Sequence, residues 1–453
     1  MTNMTMKLTL LVSLMAASTA VTTFSSPEQI HLSYGDIPNT MIVSWSTPTL
    51  NPSNTVQFRS SSDNQTTRTA SATTHHFKQL INSSSPLHRC TMCVDEYLHT
   101  SLLSQLTPGG TYQYKIDASP SSSTWYNFEN VPREVEKLQR PYTLAVYGDM
   151  GTAIPGGAVS PSLQHLTKAV VNHEIDAVLH VGDLAYDMKD QGGHTGAEFF
   201  RQIQPVAARV PYMTVPGNHE GGTPYTGSLH HYVNRLRMPN YNKGKNSFYS
   251  FDVGPVHFVA ISSEAYFWQY WQVAQQWAWL QSDLKRVNRT RTPFIVTMAH
   301  RPMYCSNSDD HDDCTHVNST MRRGLFSGKT HEKNGLFALE PLFHKYKVDL
   351  CFWAHEHSYE RMWPTYEGVV YNGSETHPYT NAMAPVHIVS GAAGCREGTD
   401  KYNGPRGPWS AFRNEDYGYG KLMIVNHTHL HWEQLEDQNY TIVDEFWLIK
   451  HSK

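Results

Sequence analysis

Side chains that can bind metals follow the ends of five apolar runs in the C-terminal part of the chain. The runs are LAVYGDMG, AVLHVGDLAYD, YMTVPGNHE, FIVTMAHRP and DLCFWAHEHSYER. Their polar ends hold Asp149, Asp183, Tyr186, Asn218, His219, His300, His355 and His357. One such cluster is typical of a turn, because Asp and Asn bond their own backbone there. Five together predict a shared site, since ligand sites in open α/β sheets form just beyond the carboxyl ends of strands.

The donor types predict a centre of two transition metals. Mixed oxygen and nitrogen donors suit borderline metals better than Ca²⁺ or Mg²⁺. A carboxylate can bridge two ions about 3.5–4 Å apart, the usual spacing of a hydrolytic two-metal site. The neutral amide of Asn218 suits a divalent ion, whereas a phenolate from Tyr186 is a hard, anionic oxygen that favours Fe(III). His355 and His357 would point to opposite faces of a strand, so we expect them in a turn just past the strand end.

Two regions with different patterning flank a charged linker at 132–141. Residues 25–135 hold short, partly alternating runs separated by Pro, Gly, Asn and Ser, which predict an all-β domain. Trp45 and the segment 106–116 suggest a sandwich of the fibronectin type III kind, and we expect it to serve in packing and spacing rather than binding. Residues 140–450 alternate apolar strands with amphipathic helices, which predicts an α/β domain whose helices cover the sheet.

Composition narrows the class of partner and the working conditions. The 453 residues suffice for two domains. A net charge of −4, with His counted as neutral, indicates neither a nucleic-acid partner nor a membrane surface. The 26 His residues would give the chain much positive charge between pH 7 and pH 5. We therefore expect acidic working conditions.

The N-terminus predicts secretion. Residues 1–20 have the pattern of a signal peptide, because Lys7 precedes an apolar stretch at 8–17 that is too short to span a bilayer. We find no second long apolar run and predict no membrane span. N-x-S/T sequons support a secreted or lysosomal glycoprotein. The sequons lie at Asn64, Asn82, Asn288, Asn318, Asn372, Asn426 and Asn439.

Six Cys residues fit an oxidising compartment. Cys305 and Cys314 bracket a polar loop and are the predicted disulfide. Cys90 and Cys93 form a C-x-x-C, which we interpret as a structural disulfide or as two residues with separate partners. Cys351 lies in an apolar run, where a buried free thiol is expected.

The ordered motifs GDMG, GDLAYD, GNHE, MAHRPMY and AHEHSYER resemble those of the purple acid phosphatases, in the calcineurin-like metallophosphoesterase superfamily. The resemblance covers residues 140 to 440, and with the all-β region the chain is similar to the larger two-domain members. It implies an α/β/β/α-layered metallophosphoesterase domain. It also implies an acid phosphatase that hydrolyses phosphate monoesters, on small molecules or phosphoproteins, by attack of a metal-bound hydroxide at a binuclear Fe(III)–M(II) centre.

The resemblance assigns roles to individual residues. Those implied for Fe(III) are Asp149, Tyr186 and His357, those for a divalent Zn, Fe or Mn are Asn218, His300 and His355, and the bridging carboxylate is Asp183. His219 is implied to contact the substrate phosphate or to orient the nucleophile. His311 is the implied proton donor, with His316 as a competitor. Glu220 is expected to support His219 or a ligand, and Arg361 either contacts phosphate or forms a structural ion pair.

Two other functions stay open at this point. One is a metallophosphodiesterase or nucleotidase of the same superfamily, whose members usually lack the Tyr and carry two divalent ions. The other is a non-catalytic secreted glycoprotein, against which the complete set of ligand types argues. Neither the oligomeric state nor the physiological substrate is predicted.

Overall fold

The structure is a computed structural model. It describes residues 26–50, 54–79, 93–117, 124–153, 159–221, 229–307, 314, 318–326 and 335–451, without the side chains of Asn64, Asn318 and Ser319. Five features of the sequence lie outside the described residues: the predicted signal peptide, Asn82, Cys90, His311 and His316.

The described part of the region 25–135 consists of antiparallel strands. These are β1 (Glu28–Tyr34), β2 (Met41–Thr47), β3 (Thr55–Ser60), β4 (Asp63–Lys78), β5 (Asp95–Leu103), β6 (Thr111–Ile116) and β7 (Tyr126–Glu129). Their order is β1-β2-β5-β4-β3-β6-β7. The long β4 pairs with β3 through its first half and with β5 through its second half. One strand is thus shared by two sheet segments, whose buried side chains, among them Trp45 and Tyr114, join one core. The all-β expectation is confirmed.

The rest of the chain forms two mixed sheets with helices. Its strands are β8 (Tyr142–Tyr147), β9 (Ala177–Val181), β10 (Tyr212–Val215), β11 (Tyr249–Val253), β12 (Val256–Ala260), β13 (Phe294–Met298), β14 (Leu350–Trp353), β15 (Tyr359–Met362), β16 (Thr365–Tyr366), β17 (Val369–Val370), β18 (Val386–Ser390), β19 (Ser410–Asn414), β20 (Gly418–Asn426), β21 (His429–Glu436) and β22 (Ile442–Ile449). Its helices are α1 (Pro161–Val171), α2 (His194–Ala207), α3 (Asn218–Gly221), α4 (His230–Arg235), α5 (Tyr241–Gly244), α6 (Tyr270–Arg286), α7 (Asn318–Arg323) and α8 (Leu339–Tyr346).

The strand orders are β10-β9-β8-β20-β21-β22 and β11-β12-β13-β14-β18-β15-β19, and β16 pairs with β17 in a separate hairpin. The strands β8, β9 and β10 are mutually parallel, as are β12, β13, β14 and β18. The two sheets face each other, since the rings of Phe352 on β14 and Trp432 on β21 lie 5.1 Å apart. The carboxyl ends of parallel strands in both sheets can therefore contribute to one site.

Alternation along single strands explains the layering. On β13, Phe294 and Val296 belong to the core between the sheets, whereas Ile295 belongs to a second core with Leu280 of α6 and Phe343 of α8. Successive side chains of a strand point to opposite faces, so an apolar run without polar gaps can bury both faces. The helices α1 and α2 cover the other sheet in the same way. The expected α/β/β/α layering is confirmed.

The all-β region and the α/β region share an interface and a continuous core. Residue Leu32 of β1 forms an isolated parallel bridge with Pro211, next to β10. The hydroxyl groups of Tyr34 and Tyr142 lie 2.8 Å apart. Arg235 of α4 is buried against Glu96 of β5, with 2.7 Å between nitrogen and carboxylate oxygen. The N-terminal region is therefore packed onto the rest of the fold.

Several smaller predictions can be compared with this structure. The disulfide Cys305–Cys314 is confirmed, Cys351 is a buried free thiol, and Cys93 is disulfide-bonded.

Arg361 donates from Nε and Nη2 to the two carboxylate oxygens of Asp444 at 2.7 Å, inside the fold, so it is a structural ion pair. Among the described residues, no helix is both long and apolar enough to cross a membrane.

The buried, neutral His31 predicts that the free energy of unfolding falls in acid. Burial lowers the pKa of His31 from 6.5 to about 4, although Nδ1 donates to the Gln29 carbonyl. Below pH 6.5 the unfolded chain takes up a proton that the folded ring refuses, so the free energy of unfolding falls by roughly 3 kcal/mol for this group as the pH decreases to about 4. The variant His31→Asn should lose less stability over that range, as measured by denaturant unfolding at several pH values. An unchanged pH slope in the variant would contradict the assignment.

Candidate metal centre

The predicted ligands lie where parallel strands end. Asp149 follows β8, Asp183 follows β9 and Asn218 follows β10 in one sheet, while His300 follows β13 and His355 follows β14 in the other. All five are close behind the last strand residue. Because the two sheets pack face to face, their strand ends bring these side chains to one edge of the shared core. The structure thus brings together residues that are up to 206 positions apart in the sequence.

Several ligand candidates have a left-handed backbone. The angle φ is 58° at Asp149, 49° at Asp183, 56° at Tyr186 and 73° at His355. Positive φ is uncommon outside glycine, and for a bulky residue such as Tyr it is costly. The unusual turns aim the side chains into the site instead of continuing each strand. At His355 the turn follows the end of β14, as the spacing of His355 and His357 predicts.

One group of donors surrounds the Tyr186 hydroxyl. This oxygen lies 2.6 Å from Nε2 of His357 and 3.2 Å from Oδ1 of Asp149. The other carboxylate oxygen of Asp149 accepts from the backbone N–H of His355 at 2.9 Å. Tyr186 and Asp149 are buried, and burial raises the pKa of both the phenol and the carboxyl group well above their usual values.

A second group surrounds the His300 imidazole. Its Nε2 lies 3.0 Å from Oδ1 of Asn218, 3.1 Å from Oδ2 of Asp183 and 3.2 Å from Nδ1 of His355. Donor atoms of Asp183, His300 and His355 all fall within 4.8 Å of one another. The two groups contain the seven residues predicted as metal ligands, three around Tyr186 and four around His300.

The acceptor atoms around the His300 imidazole require positive charge between them, which a metal ion can supply. Nδ1 of His300 lies 3.0 Å from the Val181 carbonyl, which can only accept, so Nδ1 carries a proton. In the neutral ring Nε2 then offers a lone pair, and it faces the acceptor oxygens of Asp183 and Asn218. Only a proton or a cation between them removes that repulsion. Burial opposes the charge, but Asp183 and Asp149 raise the pKa of His300 to about 10, so positive charge is favoured there.

Glu220 supports the ligand-bearing turns. Its buried carboxylate accepts from the backbone N–H groups of Asp183 at 2.8 Å, Leu184 at 2.9 Å and Gly217 at 2.9 Å. Of the two expectations for Glu220, support of a ligand is the one seen, because these bonds fix the turn that carries Asp183. Burial raises the pKa of Glu220 to about 7, and even as neutral hydrogen bonds, at about 0.5–1.5 kcal/mol each, the three together offset the cost of the left-handed backbone.

His219 stands beside both groups. Its ring lies against that of Tyr186, with 4.4 Å between centroids, and its Nδ1 is 3.1 Å from Oδ2 of Asp187. Nε2 lies 3.9 Å from Oδ2 of Asp183. Burial lowers the pKa of His219, but the bond to Asp187 and the charge of Asp183 raise it more, to about 9. His219 is thus held as a donor with its ring partly exposed.

Sequence reasoning missed three residues of the site. Asp187 directly follows Tyr186 in the GDLAYD motif, so this position could have indicated Asp187 as a residue of the site. Arg301 directly follows His300, and its Nη1 lies 2.8 Å from Nε2 of His355. The thiol of Cys395 lies 3.4 Å from Nδ1 of His357. No pattern near Cys395 indicates this contact, which depends on the tertiary fold.

Family models match three stretches of the chain. Residues 27–130 match "Purple acid Phosphatase, N-terminal domain" and residues 142–359 match "Calcineurin-like phosphoesterase". Residues 384–445 match "Iron/zinc purple acid phosphatase-like protein C". The three matches cover the all-β region, the candidate ligands and the C-terminal strands.

Individual proteins and structures are similar over nearly the whole chain. Acid phosphatase type 7 of Mus musculus is 42% identical, with 94% of this chain and 91% of the mouse protein covered. Acid phosphatase type 7 of Homo sapiens is 41% identical, with the same two shares. The purple acid phosphatase PPD1 from seeds of yellow lupin (Lupinus luteus) has a TM-score of 0.76 at 25% identity, covering 94% of this chain and 74% of the lupin chain.

A substitution at Gly182 should disrupt the site for a local steric reason. The position has φ +89°, and an added Cβ would lie 2.4 Å from Nδ1 of His300. We expect Gly182→Ala to displace His300 and to lower the metal content per chain, as measured by elemental analysis. The matched control is Gly368→Ala, with φ +76° and no atom within 4 Å of the added Cβ. In this control variant the free energy of unfolding should fall only by the backbone strain, about 1–2 kcal/mol, and the metal content should stay unchanged. Equal metal content in the two variants would contradict the proposed site.

Proposed function

Because the chain belongs to the purple acid phosphatase family and is an acid phosphatase, we propose that it hydrolyses phosphate monoesters at a binuclear centre of Fe(III) and a divalent metal. The resemblance predicted from the motif series is confirmed by these relatives, and phosphoesterase activity follows from it. The metal identities, the ligand roles and the type of ester are the finer part of the proposal.

The observation that carries the proposal is the position of the Tyr186 hydroxyl. It lies between Asp149 and His357, in a donor group adjacent to that around His300. A phenolate favours a trivalent ion, whereas the amide and imidazole groups around His300 suit a divalent one. Two unlike donor groups side by side support an Fe(III) side and a divalent side, with Zn, Fe or Mn in the latter. Asp183, which lies against His300 and His219, is the proposed bridge.

The metals would supply electrostatic and nucleophilic chemistry. When bound, they neutralise the charge of the phosphate and lower the pKa of a water molecule, so that hydroxide can attack phosphorus in acid. Asp149, Tyr186 and His357 would hold Fe(III). Asn218, His300 and His355 would hold the divalent ion. Asp149, Tyr186, His300 and His357 are buried, which keeps bulk water from these donors and strengthens the charge interactions among them.

His219 is the proposed catalytic residue of the described chain. Asp187 fixes its Nδ1 and leaves Nε2 on the side of Asp183. From this position Nε2 can donate a hydrogen bond to a phosphate oxygen and stabilise the negative charge of the transition state. A proton must also reach the leaving alkoxide. His311 remains the proposed donor on the basis of the family resemblance, and it lies outside the described residues.

We also propose that the protein is a secreted or lysosomal glycoprotein. The disulfide Cys305–Cys314 supports an oxidising compartment. The sequon residues Asn288, Asn372 and Asn439 are exposed, so glycans there would not disturb the core. Asn426 is half-buried, and its Oδ1 accepts from the backbone of Thr428 at 2.8 Å, which makes it a poorer acceptor site.

A Tyr186→Phe variant tests the Fe(III)–phenolate proposal. The purified wild-type protein should be purple, with iron and a second metal in equal amounts. The variant should lose the visible charge-transfer band, because its ring has no oxygen, while the divalent metal stays bound. Absorption spectra and elemental analysis provide the measurement, and Tyr371→Phe, at an exposed position, is the control. A colourless wild-type protein filled with zinc alone would refute the Fe(III) assignment.

The role of His219 can be tested by its substitution with Asn. We expect kcat for p-nitrophenyl phosphate to fall about 10²- to 10³-fold, the usual contribution of one hydrogen-bond donor to transition-state charge, with metal content unchanged. The control is His173→Asn, at an exposed position with φ 59°, a conformation that Asn tolerates well. Wild-type kcat in the His219 variant would exclude a catalytic role. A wild-type preference for bis(p-nitrophenyl) phosphate would instead identify a diesterase.

A further inference from the structure

The segment 263–271 forms one side of the candidate centre. At its start, Ser263 accepts from the backbone N–H of Arg301 at 3.0 Å, and Glu264 accepts from Nε of Arg301 at 2.9 Å. Arg301 directly follows the ligand candidate His300. Near its end, the side-chain nitrogen of Gln269 would lie 3.8 Å from a Cβ placed on Gly221, in the helix that begins with Asn218. The segment therefore runs between the two turns that carry His300 and Asn218.

Three aromatic side chains of this segment form what we call the aromatic rim: Phe267, Tyr270 and Trp271. The ring of Phe267 lies 5.0 Å from the guanidinium carbon of Arg301 and is only partly buried. Tyr270 is 59% exposed and Trp271 is 67% exposed. Phe267 packs on the core of the second sheet together with Trp277 and Trp279 of α6, whereas Tyr270 and Trp271 do not belong to that core. The exposed rings of Tyr270 and Trp271 are thus not explained by packing on this core.

The rim is within reach of a substrate at the centre. Arg301 connects the two, because its Nε bonds Glu264 while its Nη1 lies 2.8 Å from Nε2 of His355. Phe267 is therefore separated from the ligand candidates by a single side chain. Trp271 lies four residues further on, at most about 14 Å away for an extended chain. Neighbouring exposed aromatic residues are typical of a binding surface.

We propose that the aromatic rim binds the leaving group of the phosphate monoester, and that it favours planar aromatic alcohols over aliphatic ones. The proposal rests on the phosphomonoesterase activity proposed above and adds the substrate class. Phosphate at the metal centre leaves its ester oxygen directed outward, and an aryl ring attached to that oxygen can stack on Trp271 or Phe267. The cation of Arg301, already against Phe267, adds a favourable contact to a second ring.

We expect substitution of a rim side chain to have a moderate effect that is selective for aryl substrates. Aromatic contacts of this kind correspond to about a two- to tenfold change in an equilibrium. We expect Trp271→Ala and Phe267→Leu to lower the ratio of kcat/KM for phenyl phosphate to that for glycerol 2-phosphate by this factor. The loss should arise mainly in KM, because the ring contacts do not depend on the bond being broken.

The experiment uses the full-length, metal-loaded enzyme and adds a readout without turnover. Inhibition constants for phenylphosphonate and methylphosphonate report ring binding directly, and their ratio should change by the same factor as the kcat/KM ratio. The control is Trp447→Ala on β22, whose ring is 44% exposed but stacks on His431, outside the rim. Adenosine 5′-monophosphate, tested alongside, distinguishes nucleoside from simple aryl esters as the source of the aromatic group.

The outcomes separate this proposal from the one on which it rests. An enzyme that hydrolyses monoesters, but whose substrate and inhibitor ratios are unchanged in both rim variants, overturns the role of the rim. The same holds if Trp447→Ala shifts the ratios as much as Trp271→Ala does. A wild-type protein that hydrolyses none of the monoesters overturns the proposed function itself, whatever the phosphonates show.

Discussion

The structure depends on placing two carboxylates, Asp149 and Asp183, inside the fold at the edge of a shared core. An isolated buried carboxylate is very costly unless it is paired or coordinates a metal. Here His300 compensates for Asp183, and backbone N–H groups compensate for both. The strands end where these groups are needed, and the two sheets must stay in contact so that their ends stay together. The apolar core between the sheets therefore stabilises the site as much as it stabilises the fold.

The turns that carry the ligand candidates must be stabilised by other residues because of their backbone conformation. The left-handed backbone conformation of Tyr186 and of His355 is locally unfavourable, so surrounding contacts must stabilise it. Glu220 does this for the turn at Asp183 by accepting three backbone hydrogen bonds. Gly182 allows His300 to lie where any side chain would collide with it. Glu220 and Gly182 are thus explained by the geometry of these turns rather than by a direct role in a reaction.

The sequence predicts the strand ends and the juxtaposition of the polar side chains that follow them, for a physical reason. Buried parallel strands are continuous apolar runs, and polar residues directly after such runs are easy to recognise. Contacts that join distant segments leave no such signal. Cys395 reaches His357 through a loop after β18, and Arg301 turns towards Glu264 of a segment that no pattern connects with it. The two open assignments for Arg361 also needed the structure, because its partner Asp444 lies on β22, far along the chain.

The N-terminal region influences the centre through strand β10. Residue Leu32 of β1 bridges Pro211, which directly precedes β10, and β10 leads to Asn218 and His219. Arg235, which bonds Glu96 and Gln29 of the all-β region, lies on the helix that follows this turn. Both contacts are buried, so they constrain the segment on either side of the Asn218 turn. The all-β domain contributes no residue to the proposed centre, but through these contacts it helps to position two side chains, Asn218 and His219, on which the proposed chemistry depends.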